Sequence, residues 1–240
     1  NTRVMLTSPL AWAILAVVQL ILGFMFLSQL ETFLQWQAQI AMMEDAPSIT
    51  EVIVTPVLGN AAVILLLIVP LLTMRLISEE RRNQTLPLLF SAPISMSEIV
   101  LGKFLGIFSF LLIMVGLITL MPLSLLLGGS LDLGMVAAGL LGLTLLLASF
   151  SAIGLYISSL TNHPTVAAIT TFGALLLLWI INWAGSGDPG SLLAYLSMLQ
   201  HLEPLLQGIF NSADIIYFLL FICCFLVLTI RRLDGDRLQP

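Results

Sequence analysis

The sequence predicts an all-α, polytopic membrane protein with six transmembrane helices. Three observations lead there. First, of 240 residues 59% are apolar and only 9% charged, with a mean hydropathy of +1.11; soluble domains carry about 25% charged residues. That composition excludes a water-soluble globule, and also disorder, which needs low hydrophobicity and high charge. Second, the apolar residues fall into six long continuous runs, whereas strands of a membrane barrel would alternate over about ten residues. Third, threading the chain through six spans puts all eight Lys and Arg residues on one side. The excess of positive charge marks that side as cytoplasmic, with both termini there.

The spans are taken in order. A helix rises 1.5 Å per residue, so about 30 Å of hydrocarbon needs roughly 20 residues. The runs are Pro9–Leu30, Pro56–Ile77, Ile99–Leu127, Leu133–Leu160, Thr165–Trp183 and Asp214–Ile230, read as one transmembrane domain over residues 1–240. The first run is long, holds Trp12 and lacks a small-x-small cleavage site, so it reads as a span rather than a removed leader. The third and fourth exceed the bilayer and should tilt or protrude.

Two connections stand out. On the cytoplasmic side, residues 75–103 read as three pieces. Span two runs into water as a charged turn, Glu79-Glu80-Arg81-Arg82, ending near Asn83. Thr85 can then N-cap a short helix presenting Leu86, Leu88, Leu89 and Phe90, stopped by Pro93. Ser95-Met-Ser-Glu98 forms a capping box opening span three. An apolar helix between charged turns either docks on a partner or lies among lipid headgroups with its arginines on anionic lipid; the residues alone leave both readings open.

On the other side, Glu31–Thr55 reads as a medium loop with a capping box at Ser48–Glu51, and the turn between spans three and four as short. Residues 184–213 open on a breaker, Gly185-Ser-Gly-Asp-Pro-Gly190, and continue with Tyr195, Leu199, Leu202, Leu206 and other apolar residues around Pro204. This stretch is too apolar for a solvated loop and too short for a span. It reads as short re-entrant or interfacial helices, serving as a lid on the bundle or as a gate.

Absences narrow the chemistry. The sequence has no G-x-x-x-x-G-K-[ST] phosphate loop. The span middles hold no Asp, Glu, Lys, Arg or His, which a proton-driven carrier generally needs. His163 sits in the turn between spans four and five, His201 reads as interfacial, and neither has a nucleophile beside it. Adjacent Cys223 and Cys224 point about 100° apart and read as small apolar residues rather than a disulfide or metal site. Neutral in-span residues such as Gln19, Thr119, Ser149 and Thr171 read as helix-packing groups. The chain therefore reads as a non-enzyme without metal or cofactor, any work being driven by a partner.

The run SEERRNQTLPLLFSAPISMSEIVLGKFLG at Ser78–Gly106 resembles the coupling region of type-2 ABC transporter permeases. Leu6-Thr-Ser-Pro-Leu-Ala-Trp12 is similar to that family's approach to its first span. His201–Gly208 and Asp214–Arg231 are similar to its gliding-motility (GldF-like) and nitrous-oxide-reductase-maturation branches. Pro87 departs from the pattern, since many relatives carry glutamate or another residue there. The resemblance implies six spans, a cytoplasmic coupling helix between spans two and three, and paired re-entrant helices between spans five and six. It implies a second permease copy or related permease, and a cytoplasmic ABC ATPase dimer that holds ATP and Mg and presses on the coupling helix. It assigns Glu79, Glu80, Arg81, Arg82, Thr85, Leu86, Leu88, Leu89, Phe90 and Pro93 to that contact, and its re-entrant helices take in Tyr195, Leu199, Leu202, Pro204 and Leu206, read above as a lid or an outer gate. A bacterial inner membrane, lipid contacts and a periplasmic accessory protein are consistent with it; nucleic acid is not expected. The expected function is ATP-driven export or mechanical signalling. The alternative is a non-enzymatic scaffold or passive channel with a lipid-binding hairpin.

Overall fold

The computed structural model describes residues 9–40, 48–85, 95–127, 131–185 and 195–238, and the described residues contain no strand. The elements are α1 (Pro9–Ile40), a π-helical turn (Thr50–Val54) continuing into α2 (Thr55–Thr73), α3 (Ser78–Arg82), α4 (Met96–Ser124) ending in a 3-10 turn (Leu125–Leu127), α5 (Leu133–Leu160), α6 (Pro164–Gly185), α7 (Met198–Leu206) and α8 (Ser212–Leu238). Six stretches are long and apolar enough to cross a membrane: Ala11–Gln37, Thr50–Arg82, Met96–Leu127, Leu133–Leu160, Pro164–Ile181 and Ser212–Arg237. They coincide with the six apolar runs.

The helices outrun the apolar runs at several ends. α1 continues ten residues past Leu30, through the first part of what reads as a loop. Glu31–Ile40 contains no Gly or Pro to stop it, and Phe33 is buried in a small cluster with Phe26, Ile53 and Val57. Ser48 Oγ accepts from Glu51 N–H (3.1 Å), and the helix resumes at Thr50. α8 likewise carries Arg231, Arg232 and Arg237 within the helix. Hydropathy marks where hydrocarbon ends, not where backbone hydrogen bonding ends.

α5 is the axis of the bundle. In its most apolar stretch 72% of the residues are buried, against 22% for α6 and 28% for α1 and α8. It touches α2, α4, α6, α7 and α8. Lipid is as apolar as leucine, so close packing rather than water exclusion holds helices together here. α5 accordingly buries small residues: Gly139, Gly142, Ala148, Ser149, Ser151, Ala152, Gly154 and Ser158. Leu58, Leu65, Leu111, Met114, Leu146, Phe150 and Phe218 fill the core around it. Ser149, Ser151, Thr119 and Thr229 donate to carbonyls four residues back in their own helices. α1 turns Leu20, Phe24, Leu27 and Leu34 outward, a lipid-facing surface.

Candidate functional site

Among the described residues, the Lys and Arg gather at one end of the bundle, built by the exit of α2, by α3, by the start of α4 and by the last turns of α8. α2 stops at Thr73, and residues 74–77 form a turn before α3 begins. Nothing in Met74-Arg-Leu-Ile77 breaks a helix by itself. The break is held from α5: Ser158 Oγ accepts from the backbone N–H groups of Ile77 and Ser78 (both 3.1 Å) and donates to Met74 O (3.1 Å). Its one donor and two acceptor positions are thereby all used. Ser78 Oγ donates to the same Met74 carbonyl.

Two ion pairs fasten α3 sideways. Lys103, buried on the first turns of α4, donates to Glu80 Oε1 (2.6 Å) and to Leu76 O (2.5 Å). Arg81 pairs with Asp236 of α8, and Arg232 approaches Asp236 at 3.5 Å. α3 ends in a Schellman motif: Gln84 takes a left-handed conformation (φ 54°), Gln84 N–H donates to Arg81 O (3.2 Å) and Thr85 N–H to Glu80 O (3.0 Å). The Thr85 hydroxyl donates back to Glu80 O (3.2 Å). Beyond residues 86–94, α4 opens on a complete capping box. Ser95 Oγ accepts from Glu98 N–H (3.2 Å), and Glu98 Oε2 accepts from Ser95 N–H (2.9 Å). The connection thus leaves and rejoins the bundle at two fixed points.

At the opposite end lies α7, nine residues long and so about 14 Å, too short to cross. Its buried face is Met198, His201, Leu202, Leu205 and Leu206. Gly142 of α5 makes room for it: a Cβ there would lie 2.9 Å from Leu205 Cβ. Thr55 Oγ1 at the top of α2 donates to Leu206 O (3.1 Å). Gly208 (φ +80°) closes the helix, with Ile209 N–H donating to Pro204 O (2.8 Å). The other end of α7 is tied to α8. His201 Nδ1 lies 2.6 Å from Asp214 Oδ1, and the Tyr217 hydroxyl donates to Leu196 O (2.8 Å).

The chain thus has six helices long and apolar enough to span a membrane, an anchored charged connection at one end of the bundle and a short packed helix at the other. A family model described as ABC-2 family transporter protein matches residues 2–235. The chain belongs to the ABC-2 transporter family. It is therefore a multi-pass membrane protein and the permease type of subunit of an ABC transporter. No curated protein is significantly similar to it in sequence.

On this ABC-2 chain the sequence-assigned residues divide into groups. Glu79 and Arg82 are exposed, while Glu80 and Arg81 are partly buried in pairs within the chain. Leu86, Leu88, Leu89, Phe90 and Pro93 lie outside the described residues. Of the outer set, Leu202 and Leu206 are buried, Leu199 and Pro204 half-buried, and Tyr195 exposed. His201, read as interfacial, is buried within the protein, where Asp214 and the Tyr217 ring (4.0 Å between centroids) supply its partners. Sequence reading also missed Ser158 and Asp236 as anchors of α3. Asp236 had a signal, an acid set among Arg231, Arg232 and Arg237. Ser158 had none, being one of many small polar residues on α5.

Proposed function

We propose that this chain couples ATP hydrolysis in a partner ATPase to export, or to mechanical signalling, across a bacterial inner membrane. The observation that carries the reading is the way α3 is fastened. Glu80–Lys103, Arg81–Asp236 and the Ser158 hydrogen bonds link the exit of α2 to α4, α8 and α5 at once. A displacement of the connection at residues 86–94 would therefore enter four helices together rather than be absorbed by one loose loop. Such a device suits a bundle with no phosphate loop of its own.

In this reading ATP and Mg belong to a cytoplasmic ATPase dimer, which seats against Leu86, Leu88, Leu89 and Phe90. Exposed Glu79 and Arg82 set its register, and Thr85 and Pro93 bound the seat. Glu80 and Arg81 transmit rather than touch. Because Lys and Arg collect at this end, it faces the cytoplasm with both termini. A second copy or a related permease completes the pathway over the 1–240 domain, and α7, with Tyr195, Leu199, Leu202, Pro204 and Leu206, is the outer gate. The gliding-motility and nitrous-oxide-reductase-maturation branches offer a functional analogy, with a periplasmic accessory protein and lipids as further contacts.

The test is co-purification. Leu88→Asp with Arg82→Glu should abolish recovery of the ATPase with the tagged chain, while membrane insertion and yield stay unchanged. Arg81 is left alone because its pairing with Asp236 would confound the result. Wild-type recovery of the ATPase would reject the coupling assignment. Retention on anionic vesicles that weakens with salt would then favour a lipid-bound hairpin.

A further inference from the structure

The pair His201 and Asp214 is surrounded by acceptors. His201 Nδ1 lies 2.6 Å from Asp214 Oδ1, and its Nε2 lies 3.0 Å from the backbone oxygen of Tyr195. A carbonyl oxygen only accepts, and so does an ionised carboxylate. A neutral imidazole has one N–H and one lone pair, so it can donate to only one of the two. Both contacts are hydrogen bonds only if the pair carries a further proton, on the second ring nitrogen or on the carboxyl. Both residues are about 95% buried, and Asp214 Oδ2 has no partner among the described residues. No other group there compensates the carboxylate.

We infer that His201 and Asp214 form a proton-dependent latch, in which one proton taken from water on that side of the membrane fastens α7 to α8. With the proton bound, both hydrogen bonds exist and the buried pair is neutral overall. When the proton returns to water, two acceptors face each other at 2.6 or 3.0 Å, and the segment from Tyr195 to Leu206 keeps only the Tyr217 hydroxyl on Leu196 O as a polar tie to α8. The sign follows: the closed form holds more protons, so rising pH opens the latch.

The surroundings add little charge. The titratable groups facing the pair are the two phenols, Tyr217 stacked on the His201 ring and Tyr195 edge-on at 5.2 Å. α2 and α6, which pack on α7, contain no titratable residue, and α5 contains only Tyr156. Tyr156 reaches Tyr217 only through Phe225 and Phe221. Glu203, on α7 itself, and Asp132, at the start of α5, are exposed. The latch is a property of the fold whatever the bundle carries.

The test uses the full chain in liposomes, with Cys223 and Cys224 replaced by serine. Leu202→Cys, at a buried position, is labelled with a membrane-impermeant maleimide, and its rate is divided by that of Phe210→Cys, which is exposed. The ratio should be low in mildly acidic buffer and rise by up to about tenfold per pH unit towards a plateau, as release of one proton requires. Asp214→Asn should hold the ratio low at every pH, since the Asn amide donates to Nδ1 while Nε2–H keeps the Tyr195 carbonyl. His201→Ala should hold it high at every pH. A wild-type ratio independent of pH, or an Asp214→Asn profile that follows wild type, would overturn the latch.

Discussion

Replacing Gly154 by alanine should destabilise the protein by at least about 3 kcal/mol, at the upper end of overpacking costs. The new Cβ would sit 2.2 Å from Thr73 Oγ1 and 2.6 Å from Thr73 Cβ. A rotamer change can move the hydroxyl but not the Cβ, and the hydroxyl is already held by its bond to Val69 O (2.9 Å). α2 and α5 must therefore separate at the level of the turn that α5 holds through Ser158. The unfolding midpoint in mixed detergent should fall, and Thr73→Gly should restore most of the loss because it removes the clashing atom. Gly106→Ala and Gly116→Ala are the controls. Nothing lies within 4 Å of either added Cβ, so the better helix propensity of alanine should leave stability unchanged or slightly raised. Equal losses at all three glycines would mean that the α2–α5 crossing is not the tight point.

Replacing Lys103 by methionine should cost on the order of 2–3 kcal/mol, because it strands two acceptors rather than merely losing an ion pair. Leu76 O and Glu80 Oε1, at 2.5 and 2.6 Å from the ammonium, both lose their donor. Methionine keeps the length and the apolar stem, so packing on α4 is preserved. Adding Glu80→Gln should recover part of the loss by removing the uncompensated charge. A double-mutant cycle in thermal stability measures this, and additive losses would show that the pair is solvated rather than coupled. The same variant should reduce transmission from the connection to α4 before it affects insertion.

The spans were legible because the bilayer imposes a length: about 20 apolar residues are visible in any order. The Ser95–Glu98 box was legible because both partners lie within four residues of each other. Where the chain depends on distant partners, the sequence was silent. The turn after Thr73 is held by Ser158, more than eighty residues on; Pro70 in the last turn of α2 is a local signal for a break there but does not point to that partner. α1 runs to Ile40 because Phe33 finds Ile53 and Val57, which hydropathy cannot see. The segment between α6 and α8 reads as too short to span; its described part holds α7, nine residues long, and residues 186–194 lie outside the described residues. The partners of His201 were not legible because Asp214 and Tyr217 arrive with the next helix.

The central claim is that the connection between α3 and α4 receives force from a nucleotide-hydrolysing subunit in the cytoplasm. Photo-cross-linking from an unnatural amino acid at position 90, in cells expressing the complete transporter, tests it most directly. The account predicts an adduct between this chain and the ATP-binding subunit, lost when Leu88→Asp is added. Adducts with lipid alone, in cells where the ATP-binding subunit is present, would contradict it.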